Sequence, residues 1–366
     1  MYEYIIIGGG ISGINVANKL KDKKILVLEK QNRLGGRIYS KKIDNNWIEF
    51  GAKWIHGKPP NFINNYEYIY EPYIKTIIQK FTIVDFEYTE KEIIQLFKKV
   101  KFIPYMYKNL CEDFKKQSLN EREIKLLDII LSEDYGEHIC LLSSTNHYYK
   151  NYGKHRRVIN GMKQIIDNNF DYKFDYKLNQ EVIKIENRKV YTKDKIYETE
   201  KIILAVPLNI LKNEFSYLLS PKKNKILKKM KMGQIKVFVM IFDNIFWNKK
   251  ITYWFSQKFN NIVLINGLNN VLYFHEYSSK NITKYNITKY LKYFIKDAIK
   301  PNKILEQDWN KESGGSWTYH VSNISKKDIY FLQKPENNIY LVGEYMSKDR
   351  IGTIDGAYNS SNYIND

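Results

Sequence analysis

The sequence predicts an α/β fold: a nucleotide-binding domain interrupted by a mixed α+β domain. Three observations carry this. A glycine-rich turn lies between an apolar strand and a helical segment near the start of the chain. Buried-strand patterns return at residues 180–206 and 339–342. Between them the pattern is helical, then antiparallel, without the regular βαβ alternation. The length of 366 residues suffices for a sizeable core and suggests about two domains.

The elements follow in order. Residues 4–7 (Tyr-Ile-Ile-Ile) form a short apolar strand that runs into glycines. Ile14, Val16, Ala17 and Leu20 then recur near helical spacing, and residues 25–28 (Ile-Leu-Val-Leu) form a second strand. Strand, helix and strand within about 30 residues is the size of a βαβ unit. From 61 to about 149 the stretch reads as mostly helical, with Ile93, Ile94, Phe97 and Val100, then Ile124, Leu127, Ile130 and Leu131, on apolar faces. Strands return at 180–206 and stop at Pro207. Residues 234–242 and 251–275 read as antiparallel strands, 282–299 as a helix, and 339–342 as a last buried strand. The expected division is a nucleotide-binding domain of 1–60, 155–215 and 305–366, with 61–154 and 216–304 forming a substrate domain.

Composition excludes several classes. Apolar residues make up 43%, too many for a disordered chain. No run of about 18 apolar residues predicts a membrane span. Two cysteines, Cys111 and Cys140, make neither a disulfide scaffold nor a Cys-type zinc site. The six histidines show no ligand spacing, so no metal is expected. The charge is 59 − 40 = +19, which raises nucleic-acid binding. Yet the lysines are spread along the chain rather than gathered in a stripe, and heavy use of Lys, Asn, Ile and Tyr reads as codon bias. A nucleic-acid partner is therefore not expected. The first strand begins almost at Met1 and the last residues show no organelle address, so no leader or targeting signal is expected. The expected location is cytoplasmic.

Gly8-Gly9-Gly10-Ile11-Ser12-Gly13 contains Gly-x-Gly-x-x-Gly. Following a strand and opening a helix, it is a dinucleotide-binding turn: glycines let the backbone approach a pyrophosphate at the helix start. Glu29 closes the second strand, where a carboxylate accepts both ribose hydroxyls and repels a 2′-phosphate. Arg33-Leu34-Gly35-Gly36-Arg37 adds a second glycine turn with forked donors for phosphate or a flavin oxygen. FAD has a use for this extra motif; a nicotinamide alone has none.

With these motifs the sequence resembles the flavin-containing amine oxidases: monoamine oxidases, polyamine oxidases and histone lysine demethylases. The resemblance continues at Glu49-Phe50-Gly51-Ala52-Lys53-Trp54-Ile55-His56-Gly57, Val158-Ile159-Asn160-Gly161-Met162 and Leu204-Ala205-Val206-Pro207-Leu208. It ends with Lys236-Val237, Phe246-Trp247, Gly343-Glu344 and Gly352-Thr353-Ile354-Asp355-Gly356-Ala357. Order and rough spacing match over nearly the whole chain. Trp-Ile-His-Gly looks most like polyamine and spermine oxidases. Demethylases usually lack this His, and their chromatin-binding domains have no counterpart here.

The resemblance implies the following roles. FAD is held by Gly8, Gly10, Ile11, Ser12, Gly13, Glu29, Arg33, Gly36 and Arg37, and beside its ring by Gly51, Ala52, Lys53 and Trp54. Val182 touches adenine, Trp309 flanks the flavin, and Gly343 with Glu344 sits by the ribityl chain. Thr353 and Ile354 begin a helix whose dipole favours the reduced flavin anion. Lys236, mid-strand where a Lys is costly, matches the Lys that holds a water at flavin N5. His56 stands near the substrate amine as a proton partner, and Trp317 walls the amine pocket. Ser316 stands where covalent-flavin members carry Cys, so FAD is non-covalent. Thr353 replaces the Tyr of monoamine oxidases, so their two-ring cage is incomplete.

The implied reaction is oxidation of a small amine, foremost a polyamine such as spermine, spermidine or an acetylated form. The amine loses its proton, hydride passes to flavin N5, and the imine hydrolyses to aldehyde and amine. Molecular oxygen then takes the electrons and leaves as hydrogen peroxide. The alternatives are a monoamine or amino-acid oxidase, a desaturase-like flavoenzyme, and a non-catalytic FAD-stabilised binding protein with a basic surface.

Overall fold

The computed structural model describes residues 1–57, 68–71, 81–100, 109–144, 155–259, 261–277, 282–347 and 350–364. Its first layer is a parallel sheet. The strand Tyr2–Ile7 lies at the centre, with Ile25–Leu28 and then Asp175–Lys177 on one side and Ile196–Leu204 and then Ile339–Leu341 on the other. An antiparallel ribbon, Val182–Glu186 and Lys189–Thr192, leads into Ile196–Leu204. Apolar side chains cover both faces of the centre strand. Ile5 and Ile7 join one core cluster, and Tyr4 and Ile6 join another with Val16, Ala17 and Leu20 of the first helix. Burial on both faces explains why this strand is uniformly apolar.

That first helix, Ile11–Lys19, is tied to the last helix, Ile354–Asn359. Ser12 Oγ donates to the Ala357 carbonyl at 2.8 Å, and Asn15 Nδ2 donates to Ser361 Oγ at 2.6 Å. These bonds bring the two helices side by side.

The second layer is a six-stranded sheet in the order Lys303–Asp308, Ile235–Ile241, Val271–Tyr277, Ile262–Asn266, Tyr253–Phe255 and Phe81–Ile83. All its pairs are antiparallel except the last. One face, with Ile235, Val237 and Val239, packs on the helices Glu90–Lys99, Leu110–Lys116 and Glu121–Tyr135. The other, with Phe238 and Met240, packs on Ile287–Phe294. The helices Glu90–Lys99 and Glu121–Tyr135 start in capping boxes, Thr89 with Glu92 and Asn120 with Glu123, which satisfy orphan amides at each start.

Several expectations change. The strand Phe81–Ile83 lies inside the stretch read as helical, because three residues are too few to show a period. Residues 58–67, 72–80, 101–108 and 145–154 lie outside the described residues. The helix expected over 282–299 covers only Ile287–Phe294. The boundary at 215/216 falls too early: Leu219, Ile226, Leu227, Met230 and Met232 pack in the core beneath the parallel sheet. Lys303–Asp308, partly placed with the nucleotide-binding domain, is an edge strand of the second sheet.

Cys111, in the helix Leu110–Lys116, is joined to Cys140 in the turn Ile139–Leu141. The cysteine count gave no reason to expect the pair. Among the described residues no helix is long and apolar enough to cross a membrane, and no cluster of three metal-ligating side chains occurs.

A bond closing a 29-residue separation limits the unfolded chain. Cys140→Ser should lower stability by about 3 kcal/mol, read by denaturant unfolding without reductant. Equal stability of variant and parent would show that the two sulfurs are not bonded.

Candidate active site

A cavity of about 350 Å³ is lined from both sheets and falls within the range of roughly 300–1,000 Å³ for ligand sites. It is best followed from the end of the first strand.

Ile7 runs into Gly8, and a methyl group on Gly13 would come 2.1 Å from the Gly8 carbonyl oxygen. Helix and turn can meet this closely only without that side chain. Gly10 differs: a methyl there meets nothing among the described residues within 4 Å, and its backbone at φ −76°, ψ 175° suits any residue. Its open side belongs to the cavity, with Gly8, Ile11 and Ser12. The second glycine turn closes on the first. Gly35 N–H donates to the Gly9 carbonyl at 2.8 Å, and Gly36 takes φ +56° with its Cβ direction 3.2 Å from Gly10 Cα.

Glu29 lies where the second strand ends and is 7% exposed. Its carboxylate accepts Gly9 N–H at 2.6 Å and Gln31 N–H at 2.8 Å. Burial pushes its pKa up, and those amides and Arg33 pull the other way. Val182 lines the cavity beside it. On the other side Arg37 donates to the Ser316 carbonyl and, at 3.0 Å, to Glu344. Glu344 is buried and also accepts Thr318 Oγ1 at 2.7 Å and Gly352 N–H at 3.0 Å. Gly343, Thr353 and Ile354 adjoin it in the wall. Gly51, Ala52 and Trp309 continue the lining, and Trp309 Nε1 donates to the Phe50 carbonyl at 2.8 Å.

The far end is aromatic. Trp54 stacks on Tyr253 with centroids 6.1 Å apart, and Tyr253 on Phe255 at 5.8 Å. Trp317 donates its indole N–H to the Asp134 carbonyl at 3.0 Å. His56, Glu133 and Asp134 also line this region. Within it lies Lys53, 3% exposed, with Nζ 2.5 Å from His275 Nε2 and 4.7 Å from the Tyr273 ring centre. Burial pushes Lys53 down to about 7 and holds His275 well below its ordinary value. His275 Nδ1 faces Glu133 at 3.7 Å and the Tyr277 hydroxyl at 3.4 Å.

Three site expectations are corrected. Lys236 does not reach the cavity. Ile235 and Val237 line it, and strand alternation turns Lys236 to the opposite face. There its ammonium lies 3.5 Å from Glu306 and 5.5 Å from the Phe238 ring centre. Arg33 also turns away: it pairs with Glu312 at 2.8 Å, donates to the Gly36 carbonyl at 2.7 Å and stacks on Tyr39. It supports the glycine turn from behind. Gly13 sits beneath the lining rather than in it. The other expected residues line one cavity together.

Sequence reasoning missed His275, Glu133, Asp134 and Tyr253. His275 carried a signal. In Val-Leu-Tyr-Phe-His-Glu-Tyr, alternation puts it on one face with Val271, Tyr273 and Tyr277, and it stands across from Val237. An imidazole on a buried strand face asks for a partner.

The chain resembles known proteins over nearly its whole length. Residues 6–69 match the model of the NAD(P)-binding Rossmann-like domain, and residues 125–281 and 273–363 match the model described as flavin containing amine oxidoreductase. The chain is 22% identical to the pseudooxynicotine dehydrogenase of a Pseudomonas species, over 99% of this chain and 85% of the relative. It is 24% identical to polyamine oxidase 4 of Oryza sativa subsp. japonica, over 97% and 86%. It is 20% identical to a Dictyostelium discoideum protein named probable flavin-containing monoamine oxidase A, over 98% and 96%.

The two glycines separate folding from binding. Gly13→Ala should destabilise the protein without ligand by about 1–3 kcal/mol, through the clash with Gly8. Gly10→Val should fold normally yet weaken FAD binding by at least about tenfold, or ~1.4 kcal/mol, read by titration of the apoprotein. Equal FAD affinity in Gly10→Val and the parent would place the diphosphate elsewhere. Lys236→Met removes a partly exposed pair worth at most about 1 kcal/mol, so the rate of flavin reduction should hold within about twofold. A large fall in rapid-mixing experiments would return Lys236 to the site.

Proposed function

This chain belongs to the flavin-containing amine oxidoreductase family, and on that premise we propose that it oxidises a polyamine. It is an oxidoreductase with FAD as cofactor. The chain's residues fit that cofactor: the open side of Gly10 and the facing turn at Gly36 leave a side-chain-free channel. In this reading Glu29 takes the adenosine ribose, the amides of Ile11 and Ser12 the pyrophosphate, and Val182 the adenine. Arg37, Glu344, Thr353 and Ile354 hold the ribityl and ring region, beside Gly51, Ala52 and Trp309. The chain's only cysteines are Cys111 and Cys140, bonded to each other, so attachment at Ser316 is non-covalent. Bound there, FAD would supply a two-electron hydride acceptor that molecular oxygen can reoxidise, with hydrogen peroxide as the expected product.

The observation that carries the substrate is the meeting of aromatic walls with Glu133 and Asp134 at the far end. Aromatic faces attract an alkyl ammonium on entry. Acidic residues beside them favour a second cationic centre, as a polyamine has and a simple monoamine lacks. His56 and Trp317 border the reacting amine. The basic surface does not oppose this, because exposed lysines beyond about 10 Å are screened by salt.

Purified holoprotein mixed without oxygen with spermine, N-acetylspermine and a simple alkylamine should lose its yellow colour. Bleaching by a polyamine should be at least about tenfold more efficient than by the monoamine. Glu133→Gln should narrow that gap by about tenfold or more, the worth of one charge-assisted contact. Equal bleaching by the alkylamine would point to a monoamine oxidase, and no bleaching by any amine would remove amine oxidation altogether.

A further inference from the structure

Lys53 is the least expected group in the cavity. An amine pocket gains nothing from a fixed cation that repels its ligand. Yet Lys53 is fully enclosed and lines the same aromatic end as Trp54, Tyr253 and Trp317. It was expected only beside the cofactor, without a role for its charge. Among the described residues its ammonium is not locked into a close carboxylate pair: its bonded partner there is the imidazole of His275 at 2.5 Å.

We propose that Lys53, paired with His275, accepts the proton that the substrate ammonium must lose before oxidation. The proposal rests on the amine reading above. The ammonium N–H bond breaks, and its electron pair stays on the amine nitrogen as the lone pair that carbon–hydrogen cleavage needs. The proton forms a new N–H bond with the lone pair of Lys53 Nζ. Charge passes from substrate to protein, and nothing is oxidised in this step.

The surroundings suit both states of the lysine. Groups face it from every packed element: Glu49, Glu133, Arg157, Tyr273 and His275. Burial and Arg157 favour neutral Lys53, and Glu133 and Glu49 favour the charged form. These opposing influences leave it near neutrality, where a proton can be taken and returned. Once charged, Lys53 donates to His275 Nε2. The ring proton then sits on Nδ1, toward Glu133 and Tyr277. The chain Lys53–His275–Glu133 reaches from the cavity to the helix Glu121–Tyr135.

A primary amine whose α-carbon bears three alkyl groups has no α-hydrogen to give up and cannot be oxidised, so it isolates the proton step. Its binding to holoprotein is measured by calorimetry in two buffers of different ionisation heat. The pH is set at about 8.5, between the ~7 of Lys53 and the ~10 of a free amine. The parent should release about zero protons per amine bound, because neutral Lys53 and the amine hold one proton between them. Lys53→Arg keeps the positive charge but cannot accept a proton, so it should release about one. Release of about one proton by the parent overturns the proposal.

Lys53→Met, scored by FAD colour for folding, gives a second measurement. With an oxidisable amine, anaerobic bleaching by the parent should quicken as pH rises through about 7, since neutral lysine is the acceptor. That inflection should vanish in Lys53→Met. Its persistence overturns the proposal, and bleaching itself shows that the amine reading stands independently.

Discussion

The structure depends on one place where backbone meets backbone with no side chain between. Residues 9 and 10 lie against residues 35 and 36, joined by the Gly35 N–H bond to the Gly9 carbonyl at 2.8 Å and an isolated bridge between Gly10 and Gly35. Side chains here would fill the channel that leads from Glu29 to the aromatic end. The turn is also held electrostatically, because Glu29 accepts the Gly9 amide at 2.6 Å. The same carboxylate thus braces the loop and stands ready for a ribose. A parallel sheet places such a crevice beyond its strand ends, and the two glycine turns keep it open.

The second sheet supplies chemistry to that channel. Its concern is charge in a dry place. Lys53, Glu49, Glu133, Arg157 and His275 are gathered among aromatic rings, where an unpaired charge is costly. The cluster works as a set whose protons can shift among members, which suits a reaction whose substrate arrives protonated and must react neutral. Trp54, Tyr253 and Trp317 line the cavity beside them, and Lys53 and His275 are themselves buried, which strengthens their interactions.

What the sequence revealed and what it hid follow from distance along the chain. The strand, glycine turn and helix at the start, Glu29 and the second glycine doublet lie within about 30 residues, so local chemistry was enough to read them. The six-residue last helix and its link to the first could be placed only through the resemblance. Lys236 misled because a strand alternates its faces, and which face meets the cavity is set by the neighbouring helices. The partner of Lys53 lies 222 residues away, and no spacing rule reaches so far. The apolar residues of 219–232 were visible as apolar, but not which sheet they cover. The Cys111–Cys140 pair was hidden for the same reason: helix packing, not sequence, brings the sulfurs together.

The central claim is that one continuous channel, floored by the two glycine turns, holds FAD with its ring at the aromatic end. Titrating folded apoprotein with FAD while following quenching of tryptophan fluorescence tests it most directly, because Trp54, Trp309 and Trp317 all line the cavity. Saturation at one FAD per chain, with quenching lost when these tryptophans are replaced by phenylalanine, is the result the structure predicts. A folded chain that takes up no FAD, or binds it with those three indoles unaffected, would contradict it.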